Sequence, residues 1–268
     1  MSKLNELVSD LLCGLDPDEL DKQASWQQAR DHQHLQNLSQ YIQSEHRKDG
    51  LIIAKCFNGD FEQASPKALD QIEDKARKKY NNNINGISDV CRGAEYCKDL
   101  DKLENNLYRR GRGSFYEALE TLANNGRRII QISDRLALPK PTGLMNIEIK
   151  LGHQVRGVWI TTEHQIRLDC LRDAYDSTHH KYKIIKTINE KFGEIDTPPN
   201  YQIKKDKLFQ ECENDFQTIA TQYQLHERFF KYRSPEEVEK YTARLAEKAK
   251  KQQETITREQ NFTKAYLG

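Results

Sequence analysis

The chain has 268 residues, of which 36% are hydrophobic and 31% charged, enough to bury one substantial core while leaving much helix surface solvated. Forty-two Lys and Arg stand against forty-one Asp and Glu, a formal net charge of +1, which excludes wholesale coating of nucleic acid and makes any basic site a local one. Six cysteines are scattered without a CxxC pair, the pattern of a chain kept in a reducing compartment without disulfide staples.

Residues 1–65 read as a helical region. Leu4, Leu7, Leu11 and Leu12 form one apolar stripe and Leu35, Leu38 and Ile42 another, with Asp16-Pro17-Asp18 as the turn between them. Asn5, Glu6, Ser9 and Asp10 interrupt the first stripe, so it lacks the unbroken apolar run of a signal peptide, and no stretch is long and apolar enough to span a membrane. The expected place is the cytoplasm, with no membrane partner. Delivery into another cell by a specialised secretion system uses other signals and stays open.

Residues 66–190 read as an α/β (α+β) unit, a mixed sheet flanked by helices. Ser65-Pro66 is the expected start of a helix with Leu69, Ile72, Ala76 and Tyr80 on one face. That helix ends in the basic run Lys75, Arg77, Lys78, Lys79. After "NNNING" the period changes, and "ISDVCRGAEYC", "RRIIQISDRL", "LMNIEIKL" and "RGVWITT" read as strands. Leu103, Leu107, Leu119 and Leu122 mark helix between the first two. Thr162 followed by Gln165 has the spacing of a capped helix start, so helix is expected from Thr162 through Ile166, Cys170 and Ala174 towards Ile188. Thr197-Pro198-Pro199-Asn200 then breaks the pattern. Residues 191–268 read as a C-terminal helical extension, with Leu208, Cys212, Phe216 and Ile219 in register, then Val238, Tyr241 and Leu245 behind Ser234-Pro235. Its polar tail either packs on a protein partner or lies in water.

Five arginines, Arg109, Arg110, Arg112, Arg127 and Arg128, fall within twenty residues with glycines among the first three. Guanidinium forks suit phosphates, so a phosphate-binding loop and a solvated turn both fit. Lys75, Arg77 and Lys79 either add to such a site or complement a helix C-terminus. His179 and Tyr182 are one turn apart on a helix. The His179-His180 pair has no second cluster at metal spacing, so no zinc site is assigned. No nucleophile elbow, Walker A loop, dinucleotide fingerprint or HExxH pattern occurs, and Asn261 to Thr263 forms a glycosylation triplet without secretory context.

Four blocks in order, "DKARKKYNNNINGISDVCRGAEYC", "RRIIQISDRLALPKPTG", "LMNIEIKL" and "HHKYKIIKTI", resemble the synthetase domain of the RelA/SpoT alarmone synthetases, of the nucleotidyltransferase superfamily. The resemblance runs from Asp74 to Ile188. It implies a RelA/SpoT synthetase-like fold, a purine nucleotide of ATP or GTP type as ligand, and Mg²⁺ where the protein is active. In that chemistry a pyrophosphate passes from ATP to a ribose hydroxyl of GDP or GTP. Asp89 takes the place of the family's first metal-binding aspartate, and Arg92 follows in the matching position. The segment "DRLALPKPTG", with Asp134 and Arg135, corresponds to a loop that shapes one wall of the nucleotide site; proline and glycine suit a preorganised wall. His179 and Tyr182 match the family's "HxLY".

Two blocks depart from the pattern. Aligned on "RGVWITT", the family's "EVQ" falls on Gly157-Val158-Trp159, leaving glycine where a carboxylate belongs. Leu144, Met145 and Asn146 stand at the tyrosine, arginine and aspartate of "GYRD", and leucine offers no face to guanine. Glu148 is then the candidate for a displaced catalytic carboxylate and Trp159 for a base-stacking platform, against the plainer readings of a solvated glutamate and a packed tryptophan. The expectation is a noncanonical or catalytically silent nucleotide pyrophosphotransferase that binds a nucleotide or another phosphate-bearing ligand, such as a tRNA or other RNA end. The alternative is a protein-interaction module on the same fold.

Overall fold

The computed structural model describes residues 3–12, 28–136, 138–139, 143–193, 197–247 and 250. Five strands form one mixed sheet: β1 (Asp60–Gln63), β2 (Arg92–Cys97), β3 (Arg128–Asp134), β4 (Asn146–Val155) and β5 (Val158–Leu168), in the order β1-β2-β5-β4-β3. β2 and β5 run parallel, and every other neighbouring pair is antiparallel. The helices are α1 (Lys3–Leu7), α2 (His32–Phe57), α3 (Leu69–Lys79), α4 (Leu100–Leu107), α5 (Phe115–Asn124), α6 (Arg172–Phe192), α7 (Pro199–Gln222) and α8 (Leu225–Phe230), and residues 235–247 are helical as well. The class is the expected α+β, a mixed sheet with flanking helices.

Alternation along the strands divides the sheet into two unlike faces. Ile147, Ile149 and Leu151 of β4 and Ile166 and Leu168 of β5 point to the back, where Ile53 and Phe57 of α2, Leu103 and Leu107 of α4, and Phe115, Leu119 and Leu122 of α5 complete the core. The front carries Glu148 and Lys150 of β4 and Glu163, Gln165 and Arg167 of β5, paired across the ladder as Glu148↔Gln165 and Lys150↔Glu163. α6 lies towards this front face, with α7 packed on it through Tyr175 and Phe216. A smaller apolar cluster joins Leu35, Leu38 and Ile42 of α2 to Ile72 and Ala76 of α3 and Ile160 of β5.

Four boundaries differ from those read in the sequence. β1 lies before residue 66, so the sheet begins inside the region read as purely helical. Ser65-Pro66 is not helical, and α3 starts at Leu69 behind Ala68. β4 and β5 are joined by a two-residue turn, Arg156-Gly157, with φ of 52° and 78°, the conformation in which such hairpins close. β5 does not stop at Thr162 but continues to Leu168, a single 3₁₀ turn at Asp169–Leu171 follows, and α6 begins only at Arg172. The turn read at Asp16-Pro17-Asp18 lies outside the described residues, as do Ala137, Lys140, Pro141 and Thr142 of the proline-rich loop and everything from 251 on.

Candidate active site

Asp89 sits just before β2, where Lys67 and Lys75 converge on it from the chain ahead of α3 and from α3 itself. Their ammonium groups lie 3.3 Å and 2.5 Å from its two carboxylate oxygens. Burial pushes the Asp89 carboxyl up, but the Lys75 and Lys67 charges outweigh it and hold the group below the ordinary carboxylate range. Lys67 in turn is lowered by its own burial, an effect that Asp89 offsets in part.

The strand register sets Glu163 opposite Arg92, three residues past Asp89, and within reach of the Asp89 charge. The Glu163 backbone N–H donates to the Cys91 carbonyl at 3.0 Å, and the residue stands opposite Lys150 on β4. Burial, then the charges of Glu148 and Asp89, raise the Glu163 carboxyl above its usual value. Three carboxylates therefore share the front face closely enough to repel. Around them are Lys67, Lys75, Arg92, Arg135, Lys150 and Arg167. Arg135 donates to Glu148 at 2.7 Å, Gln165 donates to Glu163 at 2.5 Å, and Arg167 donates twice to Gln165, at 3.0 and 2.8 Å. His179 of α6 faces the same region: burial lowers its imidazole, and the charges of Lys183, Arg92 and Arg167 lower it further.

Gly157 is the main correction. It occupies the tip of the β4–β5 hairpin, with open space where a side chain would be, six positions along the chain and so about 20 Å from Glu163. It does not stand in for a carboxylate. A Glu-x-Gln pattern lies further along β5 as Glu163-His164-Gln165, and its first and third members point to the front. Glu163, Gln165, Arg167, Lys67 and Lys150 were not among the site residues singled out from sequence; alternation is legible only at the end of β5, where Ile166 and Leu168 flank Arg167.

The arginine cluster does not assemble at this site. Arg109 donates to Asn106 and to the Arg112 carbonyl, while Arg110 is tied to Asp10 and to the Leu7 carbonyl and stacks on Tyr116. Arg112 is exposed in the same loop. Arg127 crosses to the back, where it pairs with Glu45 at 2.7 Å and with buried Asp49 at 2.8 Å. Arg128 is on the front but at the far end of the sheet, stacked 4.3 Å from the ring of Trp159. That contact takes a ring face a base would use, and the indole lies along Gly152, where an added Cβ would be 3.5 Å from it.

Asp134 is not exposed to a ligand: Tyr108 and Arg233 hold it in the interior. Arg77 pairs with Asp74 on another flank of α3 and is largely exposed. There it borders an open depression of ≈ 560 Å³ with Asp70, Glu73 and Asp74, an acidic lining ill-suited to phosphate. Lys79 is exposed in the last turn of α3, and Tyr182 is 45% exposed on α6. At the start of β4, Met145 is buried with its carbonyl accepting from Tyr175. Asn146 is buried opposite Arg167, and neither polar atom of its amide has a hydrogen-bond partner.

No protein-family model matches the chain, and no curated protein matches it. Solved structures of similar architecture include the small alarmone synthetase 2 of Bacillus subtilis, at 16% identity over 73% of this chain and 94% of that one, with a TM-score of 0.47. Another is the small alarmone synthetase 1 of Bacillus subtilis bound to its product pppGpp, at 13% identity over 74% and 91%, TM-score 0.44. A third is the type VI effector Tas1 in complex with its immunity protein, at 14% identity over 77% and 99%, TM-score 0.43. At identities and scores this low, these likenesses add nothing to what the side chains themselves support. No helix among the described residues is long and apolar enough to cross a membrane.

Proposed function

We propose that this chain is a metal-dependent transferase of RelA/SpoT type, moving a pyrophosphoryl group from a nucleoside triphosphate to a hydroxyl of a second nucleotide. The observation that carries the reading is Glu163 opposite Arg92, on a cation-rich face where the charges of Glu148 and Asp89 reach it. The oxygen-only donor set fits Mg²⁺, which is commonly held by one or two carboxylates together with substrate phosphates. Asp89 and Glu163 are the carboxylates that would hold the ion; among the described residues no three His, Cys, Asp or Glu side chains form a ready-made metal cage, so substrate phosphates and water would complete its shell. Bound there, it would neutralise charge on the transferred phosphates.

The protein's own groups divide the remaining work. Lys67 and Lys75, which neutralise Asp89 in the free protein, are placed to turn to donor phosphates once a cation takes over that role. Arg92, Lys150 and Arg167 line the path of the transferred group. Glu148 is the candidate base for the acceptor hydroxyl, oriented by Arg135. Arg167 is the candidate for a polar contact to the acceptor, in place of the aromatic face that Leu144 does not provide.

A second reading is a protein that binds nucleotide without turning it over. It is favoured by the Leu144-Met145-Asn146 departure and by the tight double pairing of Asp89. The deciding experiment incubates the full chain with Mg²⁺, ATP labelled at the β-phosphate, and GDP, GTP, AMP, ADP and tRNA in turn. Label transfer that is lost in both Asp89→Asn and Glu163→Gln supports transfer at this site. No transfer to any acceptor, with calorimetric binding of ATP intact, supports the silent reading.

A further inference from the structure

Directly behind Glu163 the interior holds a polar group that the fold alone does not require. His46 and Asp49 of α2, Glu95 of β2, His153 of β4 and His164 of β5 are each exposed by 2% or less. Apolar side chains of similar volume would serve a purely structural role at least as well. Buried Nδ1 atoms of His46, His153 and His164 and one oxygen of Glu95 have no hydrogen-bond partner, which makes the arrangement costly.

His46 is the member that reaches the site. Its Nε2 lies 3.3 Å from the Glu163 carbonyl. A carbonyl only accepts, so His46 carries its proton on Nε2 and leaves Nδ1 as a bare lone pair. The ring is held in place by its surroundings. His164 stacks on Phe61 at 5.2 Å, and the His46 ring lies 6.0 Å from Phe61 and 6.3 Å from His164. Phe61 fills a slot in which a Cβ on Gly50 or Gly93 would overlap its ring. The glycine on α2 and the glycine on β2 thus admit the one aromatic ring that packs on both imidazoles. The far edge of His164 meets Glu95 at 3.1 Å. The Glu163 residue is consequently gripped on its N–H by the Cys91 carbonyl and on its C=O by His46, from two different elements.

We infer that His46 is a positioning residue: its Nε2–H contact with the Glu163 carbonyl adds to the strand ladder a tie from α2, which holds the Glu163 peptide and so the carboxylate it presents on the front face. What Glu163 then does rests on the transferase reading above; the contact itself does not. A backbone carbonyl on a strand between two partners has its orientation set by the ladder, and the extra donor from α2 ties this point of β5 to the helix behind it. Displacement of a reacting group by about 1 Å is enough to cost about 100-fold in rate.

The test uses the full chain and two variants. His46→Leu fills the space and removes the donor, and His46→Gln carries an amide N–H at about the reach of Nε2. The expected result is that His46→Leu folds, keeps KM for ATP within about twofold and loses about 10- to 100-fold in kcat, while His46→Gln recovers most of that loss. An unchanged kcat in His46→Leu, or a His46→Gln no better than His46→Leu, overturns the proposal. A second measurement needs neither activity nor a variant: two-bond ¹⁵N–¹H correlation spectra of the labelled wild-type protein are expected to show His46 as the Nε2–H tautomer. The Nδ1–H tautomer would overturn the contact. Failure of the wild type to label any acceptor would refute the transferase reading and its catalytic consequence, while the tautomer would still decide the contact.

Discussion

Replacing Arg233 by Met should destabilise the protein strongly, although the residue lies in the C-terminal extension, one residue past Tyr232. Its guanidinium lies 3.0 Å from an Asp134 oxygen, with side-chain exposures of 4% and 1%, and it also donates to the Asp134 carbonyl. Tyr108 donates to the other oxygen at 3.0 Å and the Leu136 N–H donates at 3.1 Å. Removing the cation leaves a buried carboxylate with hydrogen bonds but no counter-charge, a loss of about 3–5 kcal/mol. At about 2–4 °C per kcal/mol for a chain of this size, the melting temperature should fall by about 6–20 °C. The pH dependence gives a second signature. Burial raises Asp134 above the ordinary carboxylate range and Arg233 opposes that rise, so the variant should hold its proton to higher pH than the wild type. A carboxyl raised in the folded state contributes stability that is present below the unfolded pKa and lost as pH climbs through the folded one. The deficit of Arg233→Met should therefore be small near pH 4 and grow towards neutrality. The double variant Asp134→Asn/Arg233→Met removes both charges and should recover most of the loss. A single variant within about 2 °C of wild type at pH 7, or a double variant as weak as the single, would refute the assignment of this pair as a buried ionic tie.

If the front face is the active site, Asp89→Asn and Glu163→Gln should each reduce transfer by about 100-fold or more, whereas Gly157→Ala should leave it unchanged and cost only about 1 kcal/mol in a melt because its φ is positive. Glu163 is raised by burial and by Glu148 and Asp89, so its contribution to stability is complete below the ordinary value of 4.5 and lost as pH rises through the folded value. Glu163→Gln should accordingly melt above the wild type at pH 8 and close to it at pH 4; a gap that does not change with pH would contradict the assignment. Arg127→Met strands buried Asp49 and should lose about 3–5 kcal/mol, yet calorimetry should show ATP affinity unchanged, since Arg127 points to the back of the sheet.

The fold was legible where one face of an element is apolar. Ile147, Ile149 and Leu151 alternate with Glu148 and Lys150, and both β4 and its facing direction follow from that. The helices built on Leu103 and Leu107, or on Cys212 and Phe216, are found by the same means. The arginines were countable but not aimable. Their partners, Asp10 for Arg110 and Glu45 with Asp49 for Arg127, lie 78 or more positions away in the chain, and no local pattern announces a contact of that range. Asp134 and Arg135 are adjacent in sequence, yet one is sealed against Arg233 and the other turned to Glu148, because neighbouring strand residues point to opposite faces.

The failure at β5 has a more specific cause. A half-buried strand is recognised by apolar residues at every second place, and from Thr161 to Gln165 the inward places are Thr162 and His164. Both are buried, and neither is apolar. Thr162 is met by His153 at 2.8 Å and His164 by Glu95, so the interior behind this stretch is polar by construction and the period-2 signal vanishes there. Thr162 and Gln165 then imitate a helix cap, the strand appears to end early, and Glu163 is lost into a helix that does not exist. The residues that hide the second carboxylate from the sequence are thus members of the buried group that packs behind it. A sequence pattern fails here because the interior places of this stretch are polar side chains with buried polar partners. His46→Leu/Glu95→Leu/His164→Leu, which removes the two imidazoles together with the buried carboxyl that would otherwise lose its partner, should give a folded chain that is a poorer transferase, and a variant with full turnover would show that this part of the polar interior has no bearing on Glu163.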